Sequence, residues 1–179
     1  MIGIPLGLIY MNAGEWIVHK YLLHGRGIKK KSFWNFHWSE HHRDARRSNF
    51  IDEAYVKSLG GWNAQTKEAL GLAFAAVAHA PLFPFAPFFT SAVWYGIGNY
   101  YFVHKKSHLD PEWAKKNLAW HYDHHMGPNQ HANWCVTKPW FDKIMGTFEP
   151  YTGTQREADD IARKEKRRKK REAKDGNLH

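Results

Sequence analysis

The sequence contains a single cysteine, Cys135, among its 179 residues. One thiol cannot form an internal disulfide, so the chain does not require an oxidising compartment. Structural zinc sites usually recruit several thiolates, and this chain has only one to offer. It also has no glycine-rich phosphate loop, no nucleophile elbow and no His-Glu-x-x-His sequence. These absences argue against P-loop nucleotide hydrolysis, serine hydrolase chemistry and a zinc protease of the His-Glu-x-x-His type.

Charged side chains are missing from two long apolar blocks, residues 1–11 and residues 69–103. A helix needs about 20 apolar residues to cross a bilayer. The first block continues into apolar Ile17, Val18, Leu22 and Leu23, and it lacks the basic region and the small-residue cleavage site of a secretory signal, so we expect it to be a retained span. Pro81, Pro84 and Pro87 interrupt the second block, which predicts a hairpin of two short helices. A buried helical hairpin in a soluble protein is the alternative.

The net charge of +9 is concentrated in two regions. One follows the first block, and the other is a basic run over residues 163–174. With three crossings both regions fall on one side, which the positive-inside tendency assigns to the cytoplasm. Acidic Glu165, Glu172 and Asp175 lie in or beside the second run, so it fits a solvated helix near anionic lipid better than a nucleic-acid site.

The expected fold class is all-α: an integral membrane helical protein with about three spans. Residues 1–150 would form the membrane domain, and residues 151–179 a charged, basic C-terminal tail. The predicted hairpin leaves the membrane surface and returns to it, so segments before and after it share the cytosolic face. We expect a helical cap there.

Histidine is abundant: the chain has 13, and ten of them fall into four clusters. The clusters are His19 and His24; His37, His41 and His42; His104 and His108; and His121, His124 and His125.

Helical spacing explains why these clusters suit metal ions. At about 100° per residue, histidines four apart share one helix face. Such pairs are His37 with His41, His104 with His108, and His121 with His125. The doubled residues His42 and His124 lie about a quarter-turn away, and His19 and His24 diverge by about 140° in a regular helix. The pattern therefore favours two ions over one, with each helix sending one ligand to each ion.

The ligand type narrows the metal without selecting it. Imidazole suits iron, copper, nickel and zinc, and ten imidazoles are too many for one zinc. A nitrogen-rich pair of redox ions beside an apolar hairpin fits O2 chemistry on a lipid chain. The alternative is a zinc-binding membrane protein without redox chemistry. A haem cytochrome is less consistent, because its histidines are expected inside the apolar helices.

The four clusters and the hairpin between them resemble the fatty acid hydroxylase superfamily, which includes sterol desaturases and bacterial carotenoid hydroxylases. The pattern is His-x4-His, His-x3-His-His, His-x3-His and His-x2-His-His, and the resemblance covers residues 14–148. Residues 133–147 are similar to the segment that follows the last histidine box, with Cys135 where the family usually has glycine.

This resemblance implies a membrane-bound di-iron oxidoreductase, with two Fe ions and O2 as co-substrate. The lipid, a fatty acyl, sterol or carotenoid-type molecule, would be hydroxylated or desaturated at a C–H bond. Electrons would come from a separate donor, a ferredoxin or a cytochrome b5-like protein, and no nucleic-acid partner is expected. The implied metal-ligating and catalytic residues are His19, His24, His37, His41, His42, His104, His108, His121, His124 and His125.

Four further residues are candidates for a supporting role. Glu15 precedes His19 by one helical turn, so its carboxylate could orient that imidazole, or it could face lipid headgroups. Asp123 and Asp142 could fix histidine tautomers. His131 is either an auxiliary ligand or a loop histidine. His79, isolated within the apolar hairpin, is left out of the site.

Overall fold

The computed structural model describes residues 2–176, and helix is the main secondary structure in this part of the chain. About 70% of it is helix, and no strand occurs in the described part, as the all-α prediction requires. The elements are α1 (Gly3–Ile17), which continues as a first π-helix (Val18–Arg26); a second π-helix (His37–His42), which continues as α2 (Arg43–Arg47); a 3-10 turn (Glu53–Tyr55); α3 (Ala64–His79); a 3-10 turn (Ala80–Leu82); α4 (Pro87–Leu109); α5 (Pro111–Asn117); α6 (Ala119–Met126); α7 (Trp140–Ile144); and α8 (Gln155–Gly176).

The expected hairpin is formed by α3 and α4. Asn63 begins α3, where its side chain accepts a hydrogen bond from the Thr66 amide. Pro87 begins α4 at a position where a missing amide hydrogen has no cost. The indole of Trp94 stacks on Phe83 and donates a hydrogen bond to the Ala76 carbonyl at 3.0 Å, which joins the two helices.

The three expected membrane spans are not found. No helix within residues 2–176 is both long enough and apolar enough to cross a bilayer. Helix α1 and the π-helix that continues it contain polar Asn12, Glu15 and Lys20. The longer α4 has 23 residues, but its last turns are polar and include Lys105 and Lys106. The spans were expected from the apolar blocks alone, but each helix extends beyond its block into polar residues.

Helices α1 and α4 pack closely and run in the same direction. Gly7 lies against Ala92, and Gly96 lies against Met11 four residues further along both helices. A Cβ atom at Gly7 would be 2.7 Å from the Ala92 Cβ and 2.8 Å from the Phe89 carbonyl oxygen. The parallel packing brings the histidines that follow α1 beside those at the end of α4.

Replacing Gly7 with alanine should therefore destabilise the protein. We expect Gly7→Ala to lower the free energy of unfolding by about 1–3 kcal/mol, because backbone and side-chain atoms must move apart. Thermal unfolding followed by circular dichroism measures the change. Gly14→Ala is the matched control in the same helix, since a Cβ there would meet nothing within 4 Å. Equal melting of the two variants would contradict the close approach.

Candidate metal centre

All ten clustered histidines converge at one end of the helical bundle. Each is buried, with no more than 4% of its surface exposed. They come from the two π-helices, the end of α4 and all of α6, which are distant in the sequence. The expectation that the four clusters share one site is met in this geometry.

Nine of the histidines divide into two groups, and within each group the ligand atoms lie within 4.8 Å of one another. The first group contains His19, His24, His37, His42 and His124, and the second contains His41, His104, His108 and His125. His121 falls outside both sets but borders the second, with its Nε2 atom 3.2 Å from the Nε2 atom of His108. The groups adjoin, because the rings of His42 and His125 stack at 4.1 Å.

The π-helices determine which histidines share a group. Hydrogen bonds in a π-helix join residues five apart, so residues at that spacing lie nearly above one another. His19 and His24 are five apart and enter the same group, as do His37 and His42. The expected divergence of His19 from His24 is therefore wrong, since it assumed regular α-helix.

The expected sharing of ligands between ions is only partly correct. His104 and His108, four apart on α4, both enter the second group. His37 and His41 are also four apart, but the second π-helix sends them to different groups. Only the second π-helix and α6 contribute histidines to both groups. The other two elements serve one group each.

Hydrogen bonds behind five rings fix which nitrogen faces the centre. The Nδ1 atoms of His19, His108 and His124 lie 2.6–2.8 Å from backbone carbonyl oxygens, those of Trp134, Phe50 and Ala132. The Nδ1 atoms of His41 and His104 lie 2.7 and 2.8 Å from carboxylates of Asp52 and Glu68. Carbonyl and carboxylate oxygens only accept hydrogen bonds, so Nδ1 carries the hydrogen. The Nε2 lone pair of each ring is then directed at the centre.

The arrangement of Nε2 atoms fits a metal ion better than hydrogen bonding. Those of His24, His42 and His124 lie 3.1–3.2 Å from one another. The Nε2 atom of His124 carries no hydrogen and can only accept, so His24 and His42 would both have to donate to it. Neither could then accept from the other, and the three contacts cannot all be hydrogen bonds. Imidazole binds metals at about 2.0–2.1 Å, a length compatible with three nitrogens this close sharing one ion.

Several buried ring nitrogens also have no hydrogen-bond partner in the described part of the chain. These include Nε2 of His41 and both nitrogens of His125 in the second group. Such atoms are costly to bury unless something binds them. The residues of both groups therefore fit a pair of metal ions.

Burial keeps these imidazoles in the neutral form that binds metal. Desolvation lowers the pKa of His124 to about 3, and it lowers the pKa of His19 and His108 well below the usual value. Neighbouring imidazoles lower the pKa values of His19 and His108 further. The rings thus offer lone pairs rather than positive charge.

Glu15 and Asp142, the candidates for orienting a histidine, bond instead to backbone amides of the loop after the last cluster. Glu15 accepts hydrogen bonds from the amides of Val136 and Thr137, both at 2.9 Å. Asp142 accepts from the amides of Trp134 and Cys135, both at 2.8 Å. Both carboxylates shape the loop that presents the carbonyl of Trp134 to His19. Both carboxylates therefore act on His19 through this loop and not by direct contact.

Asp123 bonds to the C-terminal segment rather than to a histidine, and His131 takes the position of a loop histidine, one of its two expected roles. Asp123 accepts hydrogen bonds from the amides of Tyr151 and Thr152, at 2.8 and 3.0 Å, and so ties the start of the C-terminal segment to α6. His131 is exposed, and its ring lies parallel to that of Trp38 with centroids 6.0 Å apart. Neither bonds to a ring nitrogen of the two groups.

The carboxylates that do hold histidines, Asp52 and Glu68, were missed from the sequence. Glu68 immediately precedes the apolar block, so an acid at the edge of that block was a usable signal. Asp52 follows His41 by 11 residues through an irregular segment, and no helical spacing connects the two.

Comparison with known proteins agrees with this site. The family model described as fatty acid hydroxylase matches residues 4–147, which include every clustered histidine. The chain belongs to the fatty acid hydroxylase family. Neither a search of curated proteins nor a search of solved structures gives a match. Membership of this family indicates an oxidoreductase and lipid hydroxylation at a metal centre. The individual ligand assignments stay predictions.

Removing the Asp52 carboxylate should weaken metal binding at the second group. Outer carboxylates typically contribute about 10–100-fold to metal affinity, so we expect a loss of that size for Asp52→Asn. Metal retained after dialysis against graded chelator measures it. Asp44→Asn is the control, because this exposed carboxylate pairs with Arg43 on the surface. Equal retention by the two variants would contradict the role of Asp52.

Proposed function

We propose that this fatty acid hydroxylase binds two iron ions, one in each histidine group, and inserts an oxygen atom from O2 into a lipid C–H bond. The observation that carries the proposal is the pair of adjoining, fully buried imidazole groups, nine histidines in all. Imidazole also binds zinc, but zinc cannot supply the electrons that O2 chemistry needs. Iron can change oxidation state, so it would pass electrons to O2 and supply the oxidising chemistry that removes a hydrogen atom from carbon.

The reaction must balance with an external reductant. One oxygen atom of O2 enters the C–H bond as an alcohol, and the other leaves as water, which takes up two electrons and two protons. A separate electron donor, a ferredoxin or a cytochrome b5-like protein, would deliver the electrons. Removal of a second hydrogen instead of oxygen transfer would give an alkene, so desaturation is the second outcome of the same site.

The protein's own residues hold and isolate the reacting centre. Carbonyls and carboxylates fix the rings of His19, His41, His104, His108 and His124 from behind, so the ligands need not reorganise during the reaction. Burial of all ten rings keeps bulk water away from them. A dry site protects a strong oxidant from reaction with anything except the bound chain.

An apolar surface at the other end of the bundle supports delivery of the substrate from a membrane. Phe85 is 87% exposed in the hairpin turn, and Phe74 and Val77 are more than 70% exposed on α3. Gly3 at the start of α1 lies beside Phe89, so Ile2, 76% exposed, adds to the same end. Large exposed apolar patches are typical of membrane or protein contacts.

The proposed orientation follows from this surface. The 15-residue interval from Phe89 to His104 along α4 corresponds to about 22 Å, so the apolar end lies well away from the histidines. We propose that this end enters the bilayer from the cytoplasmic side, while the metal centre and the basic C-terminal helix face the cytoplasm.

Comparative lipid profiling tests the function directly. Cells that express the chain should accumulate an oxidised lipid that is absent from cells without it, and His124→Ala, which removes a member of the first group, should abolish the product. His79→Ala is the matched control. This histidine forms a hydrogen bond with Tyr10 between α1 and α3, away from the metal centre, so cells with this variant should give the same product yield as the parent. Purified protein with tightly held zinc and no O2-dependent product would contradict the proposal.

A further inference from the structure

A basic cavity lies outside the metal centre, between α8 and the end of α6. Its volume is about 300 Å³, and its walls include Met126, Gly127 and Pro128 from the turn after the last histidines. The charged side chains around it are Arg46, Arg163, Lys164, Arg167 and Asp160. Four are cationic and one is anionic, so the cavity carries an excess of three positive charges.

The positive charge comes mainly from the face of α8 that lines the cavity. Residues 160, 163, 164 and 167 recur at the spacing at which a packed helix normally places apolar residues. Here the face carries one aspartate and three basic side chains, while apolar Ile161 on the same helix is 56% exposed. Like charges gathered in this way repel one another unless an anion lies between them.

Asp160 neutralises only part of the charge. It forms an ion pair with Arg163 and accepts a hydrogen bond from the Tyr151 hydroxyl at 3.2 Å. Arg46 uses one nitrogen to donate to the carbonyl oxygens of His125 and Gly127, at 2.5 and 3.2 Å. Within residues 2–176 the other nitrogens of Arg46 make no hydrogen bond, and its charge adds to that of Lys164 and Arg167.

We propose that this cavity binds the phosphate group of a phosphorylated ligand, either a phospholipid headgroup or a soluble phosphate ester. A phosphate dianion matches three excess positive charges better than a carboxylate, which would leave two uncompensated. Guanidinium groups bind phosphate through paired, charge-assisted hydrogen bonds. A volume of about 300 Å³ accommodates the group together with the first atoms of its ester.

The site would adjoin the metal centre without using its ligands. Arg46 contacts the backbone of His125, so an anion held by Arg46 lies next to the helix end that carries three clustered histidines. The inference does not depend on the reaction that the centre catalyses, and its test is a binding measurement.

The decisive test compares two double variants of the full-length protein. Arg163→Gln/Arg167→Gln removes two charges from the cavity, and Lys166→Gln/Lys169→Gln removes two from other faces of α8. Isothermal titration with inorganic phosphate forms one arm. Sedimentation with phosphatidylcholine vesicles, with and without phosphatidic acid, forms the other. Circular dichroism checks that both variants retain the helix content of the parent.

We expect saturable, phosphate-dependent binding that the cavity variant weakens about tenfold or more and the control variant less than about twofold, since the cavity variant loses two of the four cationic side chains that line the site. Saturation by inorganic phosphate assigns the site to a soluble phosphate ester. Binding only to vesicles with phosphatidic acid assigns it to a headgroup. Equal losses in the two variants, or no saturable binding in either arm, would overturn the proposal.

Discussion

The structure depends on one electrostatic constraint: neutral imidazole nitrogens are packed against one another without enough hydrogens to bond them. In the first group, His24, His42 and His124 bring their Nε2 atoms within 3.2 Å of one another. Lone pairs at this distance repel, and burial denies them water. A bound cation would remove both costs, and it would thereby couple metal binding to the folding of this end of the bundle.

The remainder of the fold holds the nitrogens in this arrangement. The close parallel packing of α1 and α4 at Gly7 aligns the elements that carry the first and third clusters. The π-helices then turn histidines five apart toward the same group. Glu15 and Asp142 brace the loop whose Trp134 carbonyl orients His19. Each layer of contacts supports the next one inward.

Much of the site could be predicted from the sequence because its signal is local. Histidines at short spacings beside a proline-broken apolar block predicted one converging centre and the α3–α4 hairpin. The distribution of ligands between groups could not be predicted, because it depends on π-helical hydrogen bonding at His19–His24 and His37–His42. The role of Asp52 could not be predicted, because an irregular segment with no regular spacing brings it to His41. The expected spans were not found because the apolar blocks alone do not show that α1 and α4 continue into the polar residues beyond them.

Crystals of the purified protein, with anomalous diffraction recorded at the iron absorption edge, would show whether each histidine group holds an iron ion. We expect two separate iron peaks in each chain. One would lie among His19, His24, His37, His42 and His124, and the other among His41, His104, His108 and His125. A single peak, or peaks away from these two groups, would contradict this expectation.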